Sequence, residues 1–220
     1  MTHALLSELS ALHKRLCPRQ ILGLRMGLYA AALLRLNLPQ TDKRLYTFVE
    51  TDGCFVDGIT VATGCSLGHR TLRLFDYGKA AATFLDTESA RAIRIWPCAE
   101  SRIRAAQCVP EAKSRWQAQL QGYQVLPFEE LFACSEVSLT VSWTTLIGQH
   151  GVRLNCAICR EEIINQREVT IDGRTFCRSC AGEGYWRQIA PPLAVGPLSM
   201  ETLRADTSKM SRPFPKRFPD

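Results

Sequence analysis

The sequence has no unbroken apolar run long enough to cross a membrane. Its longest, Ile21 to Leu38, is interrupted by Gly23, Arg25, Gly27 and Arg35. Two arginines inside a bilayer would be costly, so the run reads as a core helix. A secretory start is missing as well, since Met1 to Leu16 has no basic opening followed by an apolar core and a small-residue cleavage site. Reduced thiols and metal sites are therefore expected of the ten cysteines, and the cytoplasm is the expected compartment. Charge of one sign is also scarce. The formal net charge is +6, and half of that excess lies from Arg187 onward, where six Lys and Arg face three Asp and Glu. The body of the chain lacks the basic balance of a dedicated nucleic-acid binder, and no nucleic-acid partner is expected.

What is present is enough apolar material for a buried core, 46% of 220 residues. Leu5, Leu9, Leu12 and Leu16 recur at helical spacing and predict an amphipathic helix. Cys17-Pro18 follows, with the proline suited to the first position of a second helix running through Ile21 to about Leu36. The Cys17 sulfur would then stand at a helix N-terminus beside Arg15 and Arg19, where a thiolate is favoured. His13 lies four residues earlier, close enough to share a metal or a proton with Cys17 if the chain turns between them.

Leu45 to Glu50 and Thr71 to Phe75 read as strands, and Ala80 to Asp86 with Ala90 to Trp96 as an antiparallel hairpin. Between the first two strands, Cys54 and Asp57 are three apart and would share one face of a helix. Thr63-Gly64-Cys65-Ser66-Leu67-Gly68-His69 sets a thiol between glycines, as a tight bend that exposes a side chain requires. Pro110 to about Gly122 predicts a surface helix, Phe128 to Phe132 a helical turn, and Glu136 to Trp143 an edge strand. Cys98, Cys108 and Cys134 lack metal-ligand spacing and read as structural.

Cys156-Ala-Ile-Cys159 and Cys177-Arg-Ser-Cys180 are two C-x-x-C pairs separated by seventeen residues. That spacing is typical of a four-cysteine structural zinc site with no open coordination position. Asp172-Gly173 marks a hairpin between the pairs, and a short helix including Tyr185 and Trp186 is expected after Cys180. Knuckle, hairpin and helix in that order suggest a treble-clef finger. From Pro191 the chain turns proline-rich and basic and reads as an extended tail.

The ordered set His13…Cys17-Pro18, Gly23…Arg25, Glu50…Cys54…Asp57, Thr63-Gly64-Cys65…Gly68 and Asp76-Tyr77-Gly78-Lys79, followed by the four-cysteine finger, resembles the FmdE family. That family is named for the E subunit of the molybdenum or tungsten formylmethanofuran dehydrogenase. The resemblance implies an α+β fold, with N-terminal helices packed on a mostly antiparallel sheet in residues 1–150. It further implies a treble-clef finger in 151–190, ahead of the tail in 191–220, and a homodimer. It also implies that Cys17, His13, Cys54, Asp57, Cys65 and His69 form one core pocket. The family's first motif resembles H-x-H-x-C-P-G, and here Arg15 and Arg19 replace the second histidine and the glycine. His69 replaces the usual lysine after G-C-x-x-G. Two added cations repel a divalent metal and favour a thiolate or an anionic ligand.

Three functions follow as expectations. One is a cytoplasmic metal-binding accessory protein, with zinc in the finger, a second metal or an anion in the core, and a molybdenum or tungsten enzyme as partner. The second is an enzyme with Cys17 as nucleophile and His13 or His69 as base. The third is an interaction module in which the finger and basic tail bind a protein or nucleic acid.

Overall fold

The computed structural model describes residues 3–12, 15–148, 151–187 and 189. The chain divides into two compact units, Met1–Gly148 and Gln149–Asp220. His13 and the tail from Pro191 lie outside the described residues.

The first unit is α+β. Helices α1 (His3–Leu12) and α2 (Pro18–Leu34) precede β1 (Leu45–Val49), α3 (Cys54–Thr63) and β2 (Leu72–Leu74). The hairpin β3 (Ala82–Asp86) and β4 (Arg91–Pro97) comes next. Helices α4 (Ser101–Gln107), α5 (Arg115–Val125) and α6 (Phe128–Leu131) then lead to β5 (Phe132–Glu136) and α7 (Trp143–Gly148). The five strands lie in the order β2-β1-β3-β4-β5. Only β2 is parallel to its neighbour, because α3 carries the chain back before β2 is laid beside β1.

Alternation along the strands divides the interior in two. Leu45, Val49, Phe84, Ile93 and Ile95 turn to the helices and share a core with Leu24, Phe55 and Ile59. Tyr46, Phe48, Leu85 and Ala92 turn to the other face, where Val137, Leu139 and Trp143 cover them. Among the described residues no helix is long and apolar enough to cross a membrane. Within α2, Arg25 is buried and donates to the carbonyls of Gln124 and Leu126 at the end of α5, with its guanidinium 4.5 Å from the Phe128 ring centroid. The arginine that rules out a membrane span therefore caps a helix instead.

Several elements differ from the sequence expectation. The edge strand is Phe132–Glu136, not Glu136 to Trp143, because β4 pairs its Ile95 with Cys134 and its Pro97 with Phe132. The alternation after Glu136 arises because Val137 and Leu139 pack on the outer sheet face without entering the ladder. Leu12 is 54% exposed and Leu16 is not helical, so neither belongs to the buried stripe of α1. Helix α5 starts at Arg115 rather than near Pro110, where the Ser114 hydroxyl accepts the Gln117 N–H at 3.1 Å and fixes its N-terminus. Helix α4 is absent from the sequence expectation. Cys108 and Cys134 are exposed, which removes them from the structural cysteines.

The second unit holds two hairpins, β6 (Arg153–Asn155) with β7 (Glu162–Ile164) and β8 (Val169–Ile171) with β9 (Arg174–Phe176). Asp172 and Gly173 turn the second at φ 49° and 72°, as expected of this dipeptide. A single helical turn, Ser179–Glu183, follows and ends before Tyr185 and Trp186, which are exposed.

Candidate thiol site and cysteine finger

Two glycines bring the core's thiols together. A Cβ on Gly23 would lie 2.0 Å from the Phe55 carbonyl oxygen, and one on Gly58 would lie 2.1 Å from that of Gln20. Helices α2 and α3 thus touch backbone to backbone. The contact moves from Phe55 at Gly23 to Ala62 at Gly27, so the two helices run parallel and begin side by side. Cys17 caps α2 in extended conformation, its N–H donating to Gln20 Oε1 at 2.9 Å, and buried Gln20 donates in turn to the Leu9 carbonyl at 3.4 Å. Cys54 opens α3 after Gly53, which takes φ 77°. The pair is half-buried, and Cys17 stands next to Cys54. Burial pushes the Cys54 thiol up, and the Cys17 charge and hydrogen bond, then the Asp57 charge, push it the same way. Cys54 and Asp57, one helical turn apart, line a cavity of about 340 Å³ with Asp52, Val56, Leu72 and Leu74.

The other candidates lie elsewhere. Cys65 follows the far end of α3, about 15 Å along the helix from Cys54 at 1.5 Å per residue. Its thiol is 1% exposed and donates to the Leu45 carbonyl at 3.4 Å, while its N–H donates to Thr63 Oγ1 at 3.1 Å. Burial raises it, so it is a core thiol and not the accessible one that its glycine neighbours predict. His69 is exposed on a turn, with its N–H on Ser66 Oγ at 3.1 Å. Of the expected pocket, the structure assembles Cys17, Cys54 and Asp57. Among the described residues Cys17, Cys54 and Asp57 do not lie close enough together to form a metal-ligand group.

Glu50 and the Asp76-Tyr77-Gly78-Lys79 turn have a bracing role. Arg94 grips both Glu50 carboxylate oxygens at 2.6 and 2.8 Å, and this carboxylate raises the arginine's pKa. The Glu50 carbonyl accepts the N–H groups of Tyr77 and Lys79 at 2.9 and 3.1 Å. The corner that delivers the chain from β1 to Cys54 is thereby clamped.

In the finger, Cys156 and Cys159 sit in the knuckle between β6 and β7, and Cys177 and Cys180 follow β9. Their sulfurs all lie within 4.8 Å of one another, with Cys159 and Cys177 3.9 Å apart. A tetrahedral ion with ligand bonds of about 2.3 Å needs sulfurs about 3.8 Å apart, so the group can hold one metal ion. The Cys177 and Cys180 N–H groups donate to Cys156 Sγ and Cys177 Sγ at 3.3 and 3.4 Å. The first of these is the main reason that Cys156 is lowered to about 6, ready to bind as a thiolate.

A family described as "FmdE, Molybdenum formylmethanofuran dehydrogenase operon" matches residues 12–133, more than half of the chain. A protein of Archaeoglobus fulgidus described as a probable S-adenosyl-L-methionine-binding protein is 32% identical over 100 residues. That match takes in 44% of this chain and 27% of the other, so the chain spans about a quarter of the length of this curated relative. A crystal structure from Syntrophus aciditrophicus, of a protein like the E subunit (FmdE) of tungsten formylmethanofuran dehydrogenase, has the same fold, with a TM-score of 0.54 at 20% identity. The superposition covers 83% of this chain and 92% of that one.

Proposed function

The chain belongs to the FmdE family, and from that premise we propose a cytoplasmic metal-binding accessory protein with two separate metal-handling parts. In the finger, Cys156, Cys159, Cys177 and Cys180 hold zinc as a structural ion with every coordination position filled. In the core, Cys17 and Cys54, with Asp57 one turn from Cys54, take up a thiophilic ion that is exchanged with a partner. The observation that carries this reading is the pairing of two half-buried thiols at the adjoining starts of two parallel helices. Thiolate ligands suit soft ions, while the N-terminal N–H groups of both helices favour the negative charge those ligands acquire. Cys17 and Cys54 bind, Asp57 adds negative charge beside them, and the Glu50–Arg94 brace keeps the Cys54 corner in place. The partner we infer is a molybdenum or tungsten enzyme, and the working form a homodimer.

Elemental mass spectrometry on protein purified anaerobically without added metal tests the core site. More than one metal per chain is expected in the wild type, falling to one in Cys17→Ala and in Cys54→Ala. A single zinc, unchanged in both variants, overturns the core metal and leaves the finger as the whole of the metal chemistry. Light scattering after size exclusion tests the homodimer.

A further inference from the structure

A second cavity, of about 280 Å³, opens beside the first turn of α2 and shares no lining residue with the thiol cavity. Its polar wall is made by Arg19, Thr51, Ser101, Arg102, Gln119 and Tyr123. Two arginines line it and no carboxylate does.

Arg44, Arg91, Arg94 and Arg104 each face an acidic side chain, namely Asp86, Glu136, Glu50 and Glu100. Among the described residues Arg19 and Arg102 have no carboxylate partner. Arg102 and Ser101 instead lie beside the Tyr123 hydroxyl, and Tyr123 and Ser101 are only 4% and 3% exposed. Burial, foremost, raises the Tyr123 phenol. The wall is rigid, because a Cβ on Gly122 would lie 2.4 Å from the Ala105 carbonyl oxygen, so α4 and α5 meet at backbone contact. Guanidinium, phenol and hydroxyl donors are thus held in fixed relation around a space with no acceptor charge of its own. Leu22 and Phe55 make the remainder of the lining apolar.

We propose that this cavity is a binding site for a small organic oxyanion, whose carboxylate or phosphate group is held by Arg19 and Arg102 and whose short body packs on Leu22 and Phe55. The volume falls just below the range of about 300–1,000 Å³ usual for drug-sized ligands, which limits the ligand to a small metabolite. The site does not depend on the core metal, since neither Cys17 nor Cys54 lines it.

Calorimetric titration of the full chain at constant ionic strength, with butyrate and with inorganic phosphate as probes, tests this. One probe or the other is expected to saturate a single site per chain. Affinity should fall about tenfold or more in Arg102→Gln and in Arg19→Gln, as loss of a charged hydrogen bond predicts. Arg115→Gln, outside the cavity, should bind as the wild type does. Saturation by butyrate alone assigns a carboxylate ligand, and saturation by phosphate alone assigns a phosphate. The proposal is overturned if neither probe saturates, if Arg102→Gln binds like the wild type, or if Arg115→Gln weakens binding as much as Arg102→Gln. Both cavity arginines are exposed at the surface, so unchanged melting curves will confirm that the variants fold.

Discussion

The core unit and the finger both gather cysteines, but the thiols play opposite structural parts in the two. In the core, Phe55, Phe84, Ile59 and Ile95 are fully buried and make the fold, and the Cys17–Cys54 pair is an addition at its edge. In the finger only Cys156 and Ile163 are buried among the described residues, so there is too little apolar contact to hold two three-residue hairpins together. The paired thiols thus stand at the margin of one unit's packing, while the four of the finger stand at the centre of the other's.

The sharpest way to break this contrast is to remove the metal. Chelation, or Cys177→Ala, should unfold the finger, because a four-thiolate ion contributes on the order of 10 kcal/mol to such a module. The core's cooperative melt should stay where it was. A finger whose amide spectrum stays dispersed after chelation would show that it has a core of its own.

Next in size is Gly58→Ala. The added methyl meets the Gln20 carbonyl oxygen at 2.1 Å and has backbone on both sides, so we expect a loss of about 3 kcal/mol in denaturant unfolding. Finger metal content should not change. A variant as stable as the wild type would mean that α2 and α3 are not in backbone contact.

Asp86 gives a smaller, pH-dependent effect in the core. Its carboxylate accepts from Arg44 and Ser89, and the Arg44 hydrogen bond foremost holds its pKa well below the usual carboxylate range. A depressed folded pKa stabilises the protein above the unfolded value of about 3.9 and loses that stabilisation as pH falls through the folded value. Asp86→Asn should therefore cost about 2 kcal/mol at neutral pH and progressively less in acid. Parallel melting curves of the two proteins across the acid range would contradict the Arg44 pairing.

The slightest effect is on Cys54 itself. With Cys17 replaced by alanine, the pH at which iodoacetamide modifies Cys54 should move down, because a neighbouring negative charge and hydrogen bond are lost. It should remain above that of an ordinary thiol, since burial, the largest cause, persists. An unchanged pH profile would separate the two thiols.

What could be read from the sequence was local. Pro18 at the start of α2, the aromatic and branched residues of Leu45 to Glu50, the hairpin turning after Asp86 and the two C-x-x-C pairs each carry their signal within a few residues, and all four stand in the structure. What could not be read depends on contacts distant in sequence. Gly23 and Gly58 announce nothing separately, and only their apposition puts Cys17 beside Cys54. Cys65 has the local sequence of an exposed bend, yet Leu45 and three threonines enclose it. Val137 and Leu139 alternate like a strand, but β4 gives its hydrogen bonds to Phe132–Glu136. The arginines of the second cavity come from α2 and α4, and no spacing rule links Arg19 to Arg102.

The parallel course of α2 and α3 has a kinetic consequence. Two parallel helices cannot be joined by a short turn, so the chain must lay down β1 between them before their starting ends meet. Cys17 and Cys54 are distant in sequence, so their pairing closes a long loop, a non-local contact of the kind that slows folding. A chain whose central helices have not closed has no such pair to offer, which ties the thiol site to a folded core.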